Sequence, residues 1–427
     1  MNKRIYRRVG PSLLAALLLT STLTPWAVAA PRQTVSGAAD WSEDETAGPD
    51  TGAMFKIDQR ERPAIPGLYV SPSDPLQTLT ARSAVVMDAA TGRILYERDM
   101  DTRRFPASTT KIMTLIVALE HSSLDEMVTV SRQAEGTEGS TLWLQAGDKV
   151  PMGELLQGMM MRSGNDATVA VAEHIAGSVD KFAQMMTEKA HAIGAKDTSF
   201  VNSSGLPDAN HYTTAHDLAL IAAYGYREVP HFEDIVSTKE AEFPWVKDKT
   251  HRLRNENQML WLYKGGNGVK TGYTDAAGRC LVAGAKKDGL QLVTVVLDST
   301  YMWNDSIALL DYGFKQVESH QLLTAGETVC QLPVRSGKRQ SVALQAAKDV
   351  VLPRDKGSDG SEYQTELDVP YALAAPVQAG DVVGQLVVKY QGQECARVDL
   401  LAAESVEKKS FFRTIGTLLT DLWHSIV

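Results

Sequence analysis

The stretch Pro106-Ala107-Ser108-Thr109-Thr110-Lys111-Ile112-Met113-Thr114 sets a serine three residues before a lysine at the opening of a helical pattern. From Thr109 to His121, Ile112, Leu115, Ile116 and Leu119 fall on one face of a 3.6-residue period. Residues i and i+3 share a helical face, so the Ser108 hydroxyl and the Lys111 amine can reach each other. A serine hydroxyl becomes a useful nucleophile only when a base takes its proton, and a lysine serves only where its neutral form is favoured. Free N–H groups at a helix start favour negative charge developing beside Ser108. Alone, the tetrad reads better as a helix-capping serine and a solvated lysine.

Two further stretches give it company. Ser163-Gly164-Asn165 falls between helical patterns at Met152–Met161 and Ala167–Ile175, where glycine permits a tight turn. Ser163 can relay a proton to a leaving amine, and Asn165 can bond a peptide carbonyl and hold Lys111. Lys270-Thr271-Gly272 ends a strand pattern that begins at Gly268. On an edge strand, Gly272 lets backbone approach closely, and Lys270 and Thr271 can hold a carboxylate. The charge of Lys270 near Lys111 also favours a neutral Lys111.

Around these motifs the pattern runs from strands to helices and back. Ser83–Asp88 and Arg93–Glu97 read as strands joined by Ala90-Thr91-Gly92. Helices follow, including Val179–Ile193 and Ala215–Tyr224. Strands return at Arg279–Ala285 and Leu290–Leu297, and a helix at Asn304–Phe314 closes the region. The fold class expected is α/β (α+β): an antiparallel sheet built from both ends of residues 77–316, with a helical subdomain between. Residues 317–403 change to short alternating runs between Gly, Pro and Asp, the pattern of a small β-sandwich-like domain without catalytic motifs.

The two ends differ from the body. Residues 1–29 read as an export signal, with Lys3, Arg4, Arg7 and Arg8 before Leu13–Leu19 and Ala27-Val28-Ala29 as the cleavage pattern. An uncleaved membrane anchor is the alternative, because Val9–Ala30 carries no charge. Residues 30–76 form a Gly-, Pro- and acid-rich leader. Residues 404–427 open on the charged, hinge-like run Glu404–Lys409. An amphipathic stripe of Phe411, Ile415, Leu418, Leu419, Leu422 and Ile426 follows, suited to a membrane surface rather than to spanning it.

With 427 residues and a net charge of −9, the chain is no general nucleic-acid binder. Three cysteines, Cys280, Cys330 and Cys395, make no disulfide framework, although Cys330 and Cys395 could pair. His174, His191, His211 and His216 lack ligand spacing and read as structural or surface residues. Met159, Met160 and Met161 read as core filler. No metal and no cofactor is expected.

Taken in order, Ser-x-x-Lys, Ser-x-Asn and Lys-Thr-Gly form the motif set of penicillin-binding proteins and serine β-lactamases. Together with Met161-Arg162-Ser163-Gly164-Asn165-Asp166-Ala167, Phe200–Pro207, Thr213–Ala219 and Gly268–Thr274, the chain resembles the low-molecular-mass penicillin-binding proteins that are D-alanyl-D-alanine carboxypeptidases. The resemblance is detailed over Leu79–Phe314. It implies the penicilloyl-serine transferase fold and an exported enzyme on the outer face of the cytoplasmic membrane. Its substrates would be peptidoglycan stem peptides ending in D-Ala-D-Ala, and β-lactams would acylate Ser108. Its site would comprise Ser108, Lys111 and Ser163 as catalytic groups, with Asn165, Lys270, Thr271 and Gly272 binding substrate. The backbone N–H groups of Ser108 and Tyr273 would form the oxyanion hole, and some relatives carry His where Tyr273 stands. A DD-endopeptidase or transpeptidase, a serine β-lactamase and a non-catalytic wall-binding protein are the alternatives.

Overall fold

The computed structural model describes residues 71, 73–246 and 251–409. The signal reading at 1–29, most of the leader and the amphipathic stripe from 410 onward lie outside these residues. Asp74, assigned from sequence to the leader, takes a buried ion pair from Arg98 at 2.7 Å, so order begins earlier than the composition implied.

The chain opens with β1 (Ser83–Asp88) and β2 (Ile94–Arg98). Asp88 Oδ1 accepts from the backbone and hydroxyl of Thr91, and Gly92 takes φ 71° to complete the turn between them. A 3-10 turn, Ala107–Thr110, leads into α1 (Lys111–His121). The helical subdomain follows: β3 (Met127–Thr129), α2 (Arg132–Glu135), β4 (Lys149–Pro151), α3 (Met152–Arg162), α4 (Asn165–Ala176) and α5 (Val179–Ile193). Next come α6 (Ala215–Glu228), α7 (Phe232–Val236), β5 (Glu240–Glu242), β6 (Arg252–Arg254) and α8 (Met259–Leu262). The two-stranded sheets β3–β4 and β5–β6 had too few residues for a visible period. The chain then returns through β7 (Gly266–Thr274), β8 (Gly278–Lys287), β9 (Leu290–Leu297) and α9 (Met302–Gln316).

Both ends of this region meet in one antiparallel sheet of order β2-β1-β9-β8-β7, which leaves β7 at an edge. Period-2 alternation divides its side chains. Val85, Met87, Val282, Val293 and Val295 join the core under the helices, including Met159, Met160 and Met161. Ala84, Val86, Leu281, Ala283 and Val296 pack with Leu309 and Leu310 of α9 on the opposite face. Burial on both faces explains why β1 and β9 read as continuous apolar runs.

Beyond α9 lie β10 (Val317–Leu323), β11 (Thr328–Arg335), β12 (Ser341–Ala346), β13 (Val350–Asp355), β14 (Tyr363–Asp368), β15 (Leu373–Ala374), β16 (Val382–Tyr390) and β17 (Gln393–Ala402). A six-stranded sheet, β14-β16-β17-β12-β11-β15, and the pair β10-β13 share one core. The run Glu404–Lys409, read as a hinge, instead pairs back: Val377 and Val406 exchange backbone hydrogen bonds, and Lys409 N donates to Ser336 O. All three cysteines are free thiols. β12 separates the strands of Cys330 and Cys395, and two strand spacings, roughly 10 Å, exceed what a disulfide spans.

Candidate active site

Ser108 sits in the 3-10 turn, half-buried, one residue after Ala107 in the left-handed region at φ 48°. A non-glycine residue held there costs on the order of 1 kcal/mol and is kept by its surroundings. Gly205, itself at φ 94°, supplies them: a Cβ on Gly205 would stand 1.8 Å from the Ala107 carbonyl oxygen. The turn aims Lys111 inward, and its side chain is fully buried.

The Lys111 amine has three partners. Nζ lies 2.9 Å from Ser108 Oγ, 2.7 Å from Asn165 Oδ1 and 2.8 Å from the Ser204 carbonyl oxygen. Asn165 Nδ2 donates to Glu138 O at 2.7 Å, which orients its oxygen toward the amine. The oxygens of Asn165 and Ser204 can only accept, so a neutral amine gives them its two hydrogens. Its lone pair is then left for the Ser108 hydroxyl proton. Burial, and next the positive charge of Lys270, hold the Lys111 pKa well below the usual lysine value.

Ser163 ends α3 in the left-handed region at φ 62°, Gly164 precedes α4, and Asn165 is its first residue. Asn165 N donates to Ser140 O at 2.7 Å, tying the turn to the loop before it. That loop hangs on Asp166, fully buried, which accepts from Thr141 Oγ1, Leu142 N and Leu144 N.

The third motif forms the opposite wall. Lys270 is buried on β7, its Nζ 3.3 Å from Thr271 Oγ1, and burial lowers its pKa to about 8. Gly272 lies so close to the Ser108 turn that a Cβ would meet Ser108 N at 3.0 Å. The Tyr273 side chain is 60% exposed and its hydroxyl donates to Asp275 Oδ1 at 2.9 Å. The fold thus gathers Ser108, Lys111 and Asn165 by direct contact and brings Gly272 against Ser108.

Two participants carried no sequence signal of their role. Ser204 contributes only a carbonyl, presented by a turn in which Asn202 Oδ1 accepts from Ser204 N and Gly205 N. His211 is buried against the Ser108 turn, bonded to Thr110. Val201 N donates to its Nδ1, which fixes Nε2 as the protonated nitrogen and donor to Thr110 Oγ1 at 2.8 Å. Burial pushes its pKa down to about 4. Among the described residues, no group of three or more His, Cys, Asp or Glu is placed to hold a metal ion.

Residues 69–300 match the family model described as D-alanyl-D-alanine carboxypeptidase. The chain belongs to the D-alanyl-D-alanine carboxypeptidase family. Residues 318–408 match the C-terminal domain of penicillin-binding protein 5. Among curated members, the D-alanyl-D-alanine carboxypeptidase DacF of Bacillus subtilis is 33% identical over 351 residues, covering 79% of this chain and 89% of that protein. Among solved structures, penicillin-binding protein 5 of Haemophilus influenzae is 33% identical with a TM-score of 0.57, covering 80% of this chain and 100% of that one. A DD-transpeptidase of Streptomyces is 32% identical with a TM-score of 0.52, covering 55% of this chain and 98% of that one. This D-alanyl-D-alanine carboxypeptidase family member therefore has the penicilloyl-serine transferase fold with an all-β C-terminal domain, and it is a serine-type enzyme.

Proposed function

We propose that the chain removes the terminal D-alanine from peptidoglycan stem peptides through an acyl-enzyme on Ser108, and that penicillins acylate the same oxygen. The observation that supports this reading is the buried Lys111 amine 2.9 Å from Ser108 Oγ, with its other two contacts to acceptor-only oxygens. Neutral Lys111 takes the Ser108 proton as Oγ bonds to the carbonyl carbon of the penultimate D-Ala. The oxyanion rests on the N–H groups of Ser108 and Tyr273. The C–N bond then breaks, Ser163 gives its proton to the departing amine, and the proton on Lys111 restores Ser163. Lys270 and Thr271 hold the substrate carboxylate, Gly272 admits its backbone, and Asn165 bonds its amide. Water hydrolyses the ester in the second half-reaction.

The reading includes export by residues 1–29 and surface attachment to the outer face of the cytoplasmic membrane by the tail from Lys408. Among the described residues no helix is long and apolar enough to cross a membrane. The likeness to a Streptomyces DD-transpeptidase favours one second reading, in which an amine rather than water resolves the acyl-enzyme.

Release of D-alanine from diacetyl-L-Lys-D-Ala-D-Ala, abolished by penicillin and by Ser108→Ala, is the test. Retained fluorescent-penicillin labelling of Ser108→Ala overturns the nucleophile. A cross-linked product with an added amine acceptor favours the transpeptidase. Removal of the tail should release the protein from membranes.

A further inference from the structure

The three partners of the Lys111 amine come from three separate stretches of chain. Ser108 lies in its own turn, Asn165 opens α4, and Ser204 sits in the loop between α5 and α6. The amine directs its lone pair at Ser108 only while that loop keeps its place. Asn202 shapes the loop from within, bonding Ser204 N, Gly205 N and Leu206 O. Its placement comes from outside. Thr114 Oγ1 donates to Ser203 O at 2.7 Å, and Ser203 Oγ donates to Thr168 Oγ1 at 3.0 Å. His211 is a further anchor, and it reaches the residue beside Lys111.

Both ring nitrogens of His211 are engaged. Nδ1 accepts from Val201 N, at the head of the loop, at 3.1 Å, and Nε2 donates to Thr110 Oγ1 at 2.8 Å. The ring is itself held: it packs T-shaped on Phe200 with centroids 5.5 Å apart, and His211 N donates to Asp208 O at 3.0 Å. Thr110 is the N-cap of α1, where a threonine hydroxyl ordinarily accepts from the first helical turn. Here that hydroxyl makes no capping bond and meets His211 instead. The loop also touches the turn, since a Cβ on Gly205 would stand 2.9 Å from Thr110 Oγ1. An apolar side chain would fill this buried position at less desolvation cost. What the imidazole adds is a rigid link with an acceptor on one side and a donor on the other.

We infer that His211 is a positioning residue for acylation: it links the Ser108 turn to the loop of Ser204 and so keeps the Lys111 lone pair on Ser108 Oγ. The inference rests on the proposed acylation of Ser108 with Lys111 as its base. His211 bonds to neither residue and acts through Thr110 and Val201.

The experiment follows acylation by a fluorescent penicillin in stopped flow and counts the labelled fraction at the end point. His211→Leu and Thr110→Val should each lower the acylation rate constant about tenfold, with every chain still labelled and the half-saturating penicillin concentration unchanged. The double variant should be no more than about twofold slower than the slower single one, because both changes cut one link. His211→Gln keeps an N–H donor beside a carbonyl acceptor and should stay within about threefold of the parent. A smaller labelled fraction at the parent rate constant overturns the inference, since His211 would then only hold the fold. Losses that multiply to about a hundredfold in the double variant overturn it too, as does a parent-like rate in Thr110→Val, which tests the link should His211→Leu fail to fold. A parent enzyme that takes no label, or label that survives Ser108→Ala, would instead overturn the acylation reading.

Discussion

Gly272 stands with its bare Cα against the backbone nitrogen of Ser108: a methyl group there would lie 3.0 Å from that nitrogen and 3.1 Å from Pro106 O. β7 and the turn that carries Ser108 are therefore set apart by backbone thickness alone. Gly272→Ala must push them apart by a few tenths of an ångström. Acylation by a fluorescent penicillin, followed by stopped flow, should slow by roughly 10- to 100-fold, because misaligned oxyanion donors lose much of their effect. A rate within about twofold of the parent would show the separation to be unimportant.

Charge on Lys270 should set the alkaline side of the pH profile. With a pKa brought down to about 8 by burial, Lys270 is cationic at neutral pH and loses its proton in mildly alkaline solution. The proposed carboxylate anchor weakens with it, so kcat/KM should fall on a limb near pH 8. The acid limb should report protonation of Lys111, whose pKa is held well below the usual value. Lys270→Arg keeps the charge and should move the alkaline limb upward by about one unit or more. An unmoved limb would assign it to another group.

Asp166 holds the loop that carries Leu142 and Trp143. Its carboxylate is fully buried and accepts one hydroxyl and two loop N–H groups. Asp166→Ala leaves those donors without an acceptor and should cost about 3 kcal/mol in denaturant unfolding. Penicillin acylation should slow as well, since Asn165 N is bonded to Ser140 in the same loop. Unchanged stability would mean that the loop is held by other contacts.

Asp88 is a buried carboxyl whose Oδ2 has no hydrogen-bond partner, and burial raises its pKa from 3.8 to about 6. Between those values the folded protein holds this proton and the unfolded chain releases it. Stability from this group is present in full below about pH 4 and lost as pH rises through 6. Asp88→Asn should therefore stabilise the protein at pH 7.5 by up to about 3 kcal/mol, and by about half of that at pH 5. Thermal melts at the two pH values check it; an equal gain at both would trace the effect to packing.

The sheet and its helical insertion were legible because β1, β8 and β9 carry long apolar runs between turn residues. Between β8 and β9, Asp288 at φ 50° and Gly289 at φ 83° make the hairpin turn that an Asp-Gly pair favours. Ser108, Lys111 and Asn165 were legible because their motifs bring side chains with distinct chemistry. The Ser204 carbonyl was not, since every residue has one and only the Asn202–Gly205 turn aims it. His211 read as one of several scattered histidines, because its tautomer is set by Val201 N, ten residues earlier in the chain. The pairing of Val406 with Val377 was hidden by the charged residues around Val406, although both valines are buried.

The sheet ends on β7, with Gly272 against the Ser108 turn. An open strand edge is ordinarily a hazard, a template on which a second sheet can grow. Here the turn that bears Ser108 abuts that edge at Gly272, an obstacle to the growth of a second sheet. On the proposed reading, a substrate peptide would add a sixth strand to the five present. Occupancy should therefore slow hydrogen exchange along β7 and β8, stiffening the scaffold for as long as the acyl group remains.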